Sequence, residues 1–143
     1  MILVDANVLL YAYHPRAEQH GRCRDWVEGA FSGPMPVRLP WSTILAFLRI
    51  CTHPRVFDQP LSMTEAASIV GSWLAAPAVD TIEPGERYWE ILCELLTKAQ
   101  VSGALVSDAA LAALAVEHGA TLCTTDRDFA RFSGVRTFSP LGE

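Results

Sequence analysis

Four aspartates stand where a chain could do chemistry: Asp5, closing the apolar run Ile2-Leu3-Val4, then Asp108, and then Asp126 and Asp128 in Thr124-Thr125-Asp126-Arg127-Asp128-Phe129. Carboxylates supply hard oxygen donors. Two of them about 5 Å apart repel by about 3 kcal/mol at an effective dielectric of 20, so a cluster of three is costly unless a cation neutralises it. Oxygen donors without His or Cys select Mg²⁺ or Mn²⁺ over zinc. Such an ion can activate water and offset charge on a phosphoryl oxygen, so the implied reaction is metal-dependent phosphodiester hydrolysis. The ordinary alternative is that each Asp only caps the helix that follows it.

The elements around these acids decide whether they meet. Ile2–Val4 reads as a strand buried on both faces. A short helix follows over Val8–Tyr13 and stops at His14-Pro15, and a longer one spans Ala17–Phe31. Val37–Leu39 is a short strand, and Trp41–Cys51 a well-buried helix with Ser42 or Thr43 as cap. Ser62-Met63-Thr64-Glu65 is a capping box opening another helix that ends at Pro77. Ala78–Ile82 is a strand, and Glu86–Lys98 a helix whose Glu86, Glu90 and Glu94 form a solvated face. Ala104–Val106 reads as a strand leading to Asp108, with a helix over Ala109–His118 and Gly119 as its C-terminal cap. Ala120–Thr124 and Val135–Phe138 are the last strands. Strands alternating with helices favour right-handed crossovers and a parallel sheet, which puts Asp5, Asp108 and Asp126 at one edge of it.

The whole chain, 1–143, is expected to be a single domain. Half its residues are apolar and 19% are charged, which excludes a disordered chain. No apolar run reaches the ~20 residues that span a bilayer. The N-terminus lacks the basic region of a signal peptide, and a cytoplasmic location is expected. Cys23, Cys51, Cys93 and Cys123 are widely spaced among apolar neighbours, as for reduced core residues. His53 has no partner His at metal-ligand spacing. The net charge of −5 argues against a protein that merely coats nucleic acid, yet is compatible with acids that bind a cation. Ten of the eleven basic residues are arginines, the better phosphate ligand, and Arg49 and Arg127 are the candidates for substrate contacts.

The motifs Val4-Asp5-Ala6-Asn7-Val8-Leu9-Leu10, Asp108-Ala109-Ala110-Leu111-Ala112-Ala113-Leu114-Ala115 and Thr124-Thr125-Asp126-Arg127-Asp128-Phe129 together resemble a PIN domain, specifically a VapC-type ribonuclease toxin of bacterial toxin–antitoxin pairs. Phe47-Leu48-Arg49 and Thr52-His53-Pro54-Arg55-Val56-Phe57 resemble one subgroup. The resemblance implies a three-layer α/β/α sandwich around a parallel sheet of about five strands. It implies Mg²⁺ or Mn²⁺ on Asp5, Asp108 and Asp126, with Asp128 contributing in some members, and Asn7 and Thr125 orienting the acids. It further implies a cytoplasmic endoribonuclease acting on structured RNA, a VapB-type antitoxin partner and a homodimer. The chain departs from the family at Ala46, where most members carry a fourth acid, and no acid lies between Phe31 and Phe57 to replace it.

Two rivals follow. Ala46 motivates a PIN-like module that only binds RNA or antitoxin. A phosphoacceptor or phosphatase domain would need Asp-x-Asp at the first strand and a strand-end Lys. Position 7 is Asn, and the only lysine is Lys98 in a helix.

Overall fold

In the computed structural model, which describes residues 1–142, the chain alternates strands and helices. The elements are β1 (Ile2–Val4), α1 (Ala6–Ala12), α2 (His20–Phe31), β2 (Val37–Pro40), α3 (Trp41–Cys51), α4 (Met63–Ala75), β3 (Val79–Ile82), α5 (Tyr88–Lys98), α6 (Leu105–His118), β4 (Thr121–Cys123), a 3₁₀ turn (Arg127–Arg131) and β5 (Thr137–Phe138).

All strand pairs are parallel, in the order β3-β2-β1-β4-β5. From β1 the chain winds outward through β2 to β3, crosses back, and adds β4 and β5 on the other side. The winding therefore reverses at the crevice between β1 and β4, where open α/β sheets place their sites. Asp5 and Asp126 follow those two strands.

Side-chain alternation along β1 builds the three layers. Val4 joins one core with Val8 and Leu9 of α1, Cys23 and Val27 of α2, Phe47 of α3 and Trp73 of α4. Leu3 joins the other with Ile91 and Leu95 of α5, Ala112 and Leu114 of α6, and Leu122 of β4. Fully burying one such aliphatic side chain stabilises the fold by about 1.5–3 kcal/mol, so both faces of this short strand are strongly anchored.

Several expected boundaries move, each for a local reason. Ala104–Val106 is not a strand: Gly103 turns with φ of 61° and α6 already starts at Leu105, which places Asp108 inside that helix's first turn. The Leu- and Ala-rich sequence carries strong helix propensity, and that outweighs a three-residue apolar run. The helix expected from Ala17 begins at His20, because the chain after Pro15 makes successive turns with Ala17 N bonded to His14 O and His20 N to Ala17 O. The helix expected from Glu86 begins at Tyr88. Before it, the Glu117 carboxylate accepts from Gly85 N at 2.7 Å and Arg87 N at 2.9 Å, taking donors a longer helix would use. A Cβ at position 85 would lie 2.7 Å from that carboxylate, so glycine is needed for close approach.

Neither Ser42 nor Thr43 caps α3. Pro40 holds the N-cap position, and Thr43 is buried with its hydroxyl donating to Val4 O at 2.9 Å. The Ser62–Glu65 capping box forms in both directions, Glu65 N to Ser62 Oγ and Ser62 N to Glu65 Oε1. Glu86, Glu90 and Glu94 are exposed, and Glu94 accepts from Lys98 Nζ at 2.6 Å. Cys23, Cys51 and Cys123 are buried free thiols, and Cys93 is a half-buried one. Among the described residues no helix is long and apolar enough to cross a membrane.

Candidate active site

The site is built where β1 and β4 end. Asp5 caps α1, with Oδ1 accepting from Ala6 N at 2.8 Å. Its other oxygen, Oδ2, accepts from the Thr124 hydroxyl at 2.8 Å and from Asn7 Nδ2 at 3.1 Å. Thr124 also accepts from Asp126 N at 3.0 Å, and Asn7 Oδ1 accepts from Thr125 N at 3.3 Å. These bonds stitch the start of α1 to the loop after β4. Asp126 in turn caps the 3₁₀ turn, accepting from Asp128 N at 2.8 Å. The capping role weighed from sequence is thus real for Asp5 and Asp126, but it occupies one oxygen of each.

The electrostatics of the acids are coupled. Burial pushes the Asp5 carboxyl above its ordinary value, the Thr124 and Ala6 hydrogen bonds pull it down, and the charges of Asp108 and Asp126 push it up again. Asp108 is also raised, first by burial and then by Asp126 and Asp128, with Arg131 acting in the opposite direction. Asp5, Asp108, Asp126 and Asp128 therefore sense one another. Among the described residues, no three His, Cys, Asp or Glu side chains form a gathered ligand cluster. By chemistry the donors fit a hard divalent cation: they are all carboxylate oxygens, and they raise one another's proton affinity in a partly desolvated crevice.

Sequence reasoning assigned Thr125 to orient the acids, whereas the side chain that does so is Thr124. Thr125 contributes only its backbone N–H. The usable signal was the place of Thr124 at the end of an otherwise apolar strand, where a 4% exposed hydroxyl must find partners. Arg131 was also missed. Its Nε donates to Asp128 O at 3.1 Å and its Nη2 lies 3.8 Å from Asp128 Oδ1, one 3₁₀ turn on. Arg127 is exposed beside Asp126. Arg49 is exposed in the last turn of α3, about 9 Å along the helix from Thr43, and so stands away from the acids. Ala46 lies one turn from Thr43 and is half-buried, on the helix face that meets the end of β1.

The PIN domain family profile matches residues 2–135, and the chain belongs to that family. Ribonuclease VapC37 of Mycobacterium tuberculosis is 44% identical over 140 residues, covering 98% of this chain and 97% of the relative. Ribonuclease VapC33 of the same species is 36% identical over 143 residues, covering all of both. Among solved structures, VapBC2 from Rickettsia felis bound to a DNA fragment from its promoter shares the fold with a TM-score of 0.71 at 15% identity, over 97% of this chain and 98% of that one.

Proposed function

We propose that the chain is a metal-dependent endoribonuclease, the toxin of a VapBC-type pair. The observation that carries this is the meeting of Asp5, Asp108 and Asp126 at the reversal point of the sheet, each raising a neighbour's pKa. The full-length likeness to proteins named as VapC ribonucleases supports the substrate class.

Asp5, Asp108 and Asp126 would hold Mg²⁺ or Mn²⁺, with Asp128 beside them. When bound, the ion supplies a water of lowered pKa and neutralises charge on the scissile phosphate. The chain's own residues do the positioning. Thr124 and Asn7 fix one oxygen of Asp5, and the backbone of the 3₁₀ turn fixes one oxygen of Asp126. Arg127 supplies positive charge to the RNA backbone beside the acids, and Arg49 supplies it farther along. RNA cut by purified protein with Mg²⁺ or Mn²⁺, and not with a chelator, tests the reading. Intact RNA under all these conditions overturns it and favours a module that only binds, the reading that Ala46 motivates.

A VapB-type antitoxin is the proposed partner, reaching the acids with a basic side chain. A second copy of the chain is proposed to cover Trp41, Leu45 and Trp89, which are 46%, 60% and 69% exposed, a scale of apolar exposure that marks interaction surfaces. Sedimentation of the isolated chain as a monomer at all accessible concentrations would remove the homodimer.

Ala46 gives a sharper expectation. Ala46→Glu adds an acid one turn from Thr43, and Mn²⁺ binding tightens about tenfold. Asp128→Asn weakens binding more in the parent than in Ala46→Glu, because Asp128 partly supplies the missing charge. A double-mutant cycle on Mn²⁺ affinity reads the coupling, and additive effects would show that the two positions do not share a cation.

A further inference from the structure

A cavity of about 240 Å³ opens between the end of α1 and the loop that joins α3 to α4. It is walled by Tyr13, His14 and Phe57, with Arg16, Asp58 and Gln59 at its polar side. The His14 ring is stacked on Phe57, with centroids 4.3 Å apart and planes at 20°. Phe57 is core, so this platform is rigid. His14 Nε2 is buried and has no hydrogen-bond partner among the described residues. Such a group costs about 1–3 kcal/mol unless something polar enters to meet it. The site assigned above uses none of these side chains.

The surroundings select the visitor. Segments 13–17 and 49–61 carry Arg16, Arg49 and Arg55 against one acid, Asp58, so this face is locally positive in a chain of net charge −5. Arg16 lies 3.4 Å from Asp58 in a pair that is mostly exposed, at 69% and 65%. A pair so open to water holds its partner weakly, which leaves the guanidinium free to exchange to a phosphate. Rings, an unmet ring nitrogen and a positive rim are what an unstacked base with its phosphate requires.

We propose that this cavity binds a nucleobase of the RNA, upstream or downstream of the cut. This rests on the ribonuclease reading. The seven residues of α1 separate Asp5 from Tyr13 by about 10 Å, or two to three nucleotides at the stacked repeat of roughly 3.4 Å. The base inserts against the ring-walled side and meets His14 Nε2 with its edge, and Arg16, Arg49 and Arg55 line the phosphates toward the acids.

Binding can be read without cleavage. The full chain, in chelator, is titrated with each of the four nucleoside monophosphates and with ribose 5-phosphate, following backbone amide resonances. Saturable shifts at Tyr13, His14, Phe57 and Gln59 are expected with at least one nucleotide and not with ribose 5-phosphate. Gln59→Ala and Arg16→Ala, both surface changes that leave the core intact, weaken that binding at least about threefold. In cleavage assays, an abasic residue two or three positions from the cut raises KM at least about fivefold, the low end for one stacked base, with kcat little changed. Equal shifts with ribose 5-phosphate would show a phosphate contact only and overturn the base pocket. No shift at these residues, or occupation by an antitoxin peptide with no nucleotide binding, overturns it as well. Base binding in a chain that cuts no RNA would leave the cavity assigned and sink only the nuclease reading.

Discussion

Asp5→Asn and Asp108→Asn each reduce metal-dependent RNA cleavage by roughly a hundredfold or more while the protein stays folded. The loss follows from removing a charged oxygen ligand at the crevice. The retained fold follows from the electrostatics. Both carboxyls have pKa values raised above the ordinary 3.8 in the folded chain, so the native state binds their protons more tightly than the unfolded state does. For an acid raised in this way, the contribution favours folding at low pH, and that advantage is lost as pH rises from about 3.8 through the raised folded value. At neutral pH each ionised carboxylate is then a cost, which Asn removes.

Asn has its own drawback at position 5, since its amide would face the Nδ2 donor of Asn7 that now reaches Asp5 Oδ2. The two effects oppose each other, and the net change at neutral pH and in chelator stays within about 1 kcal/mol. Mn²⁺ raises the melting temperature of the parent by binding only the folded state, and raises that of either variant much less. Thermal scans with and without Mn²⁺, paired with cleavage rates, check both halves. Cleavage at parental rate at saturating metal would remove Asp5 or Asp108 from the site.

The sheet and most helices were legible because their signals are local and repeated: apolar runs for β1 and β4, helical periodicity in α4 and α5, the capping box at Ser62. Asp5 and Asp126 were legible for the same reason, since a charged residue closing a buried strand has one edge of the sheet to occupy. Asp108 was assigned to the right place by the wrong element. It lies in the first turn of α6, because three apolar residues cannot tell a strand from a helix start. Thr124 was hidden by its neighbour. Two adjacent threonines look alike in sequence, and only the strand's twofold alternation, carried through its last residue, makes one face Asp5 and the other face away. The Glu117 clamp on Gly85 and Arg87 joins residues about thirty apart, and no periodicity announces such a contact.

Thr124→Val separates the assembly of the acids from the acids themselves. The substitution keeps shape and burial but removes the hydroxyl that donates to Asp5 Oδ2 at 2.8 Å and accepts from Asp126 N at 3.0 Å. Two consequences follow. The Asp126 amide, part-buried, loses its acceptor, and stability falls by about 1–3 kcal/mol. The Asp5 carboxyl loses the strongest of the influences that lower its pKa, and its proton affinity climbs further. Protons and divalent cations compete for a carboxylate, so Mn²⁺ affinity falls most steeply on the acid side of neutrality. Cleavage drops roughly 10–100-fold, the scale seen when a group that orients a metal ligand is lost. Thr124→Ser, which keeps the hydroxyl, restores most of the affinity even though it forfeits a buried methyl. Mn²⁺ titrations of the parent and both variants across pH 5 to 8 decide the matter. If Thr124→Val lowers affinity by the same factor at every pH, the hydroxyl only supports the fold. If Thr124→Ser behaves like Thr124→Val, the methyl is what matters, and the hydrogen bond to Asp5 is not what prepares the acid.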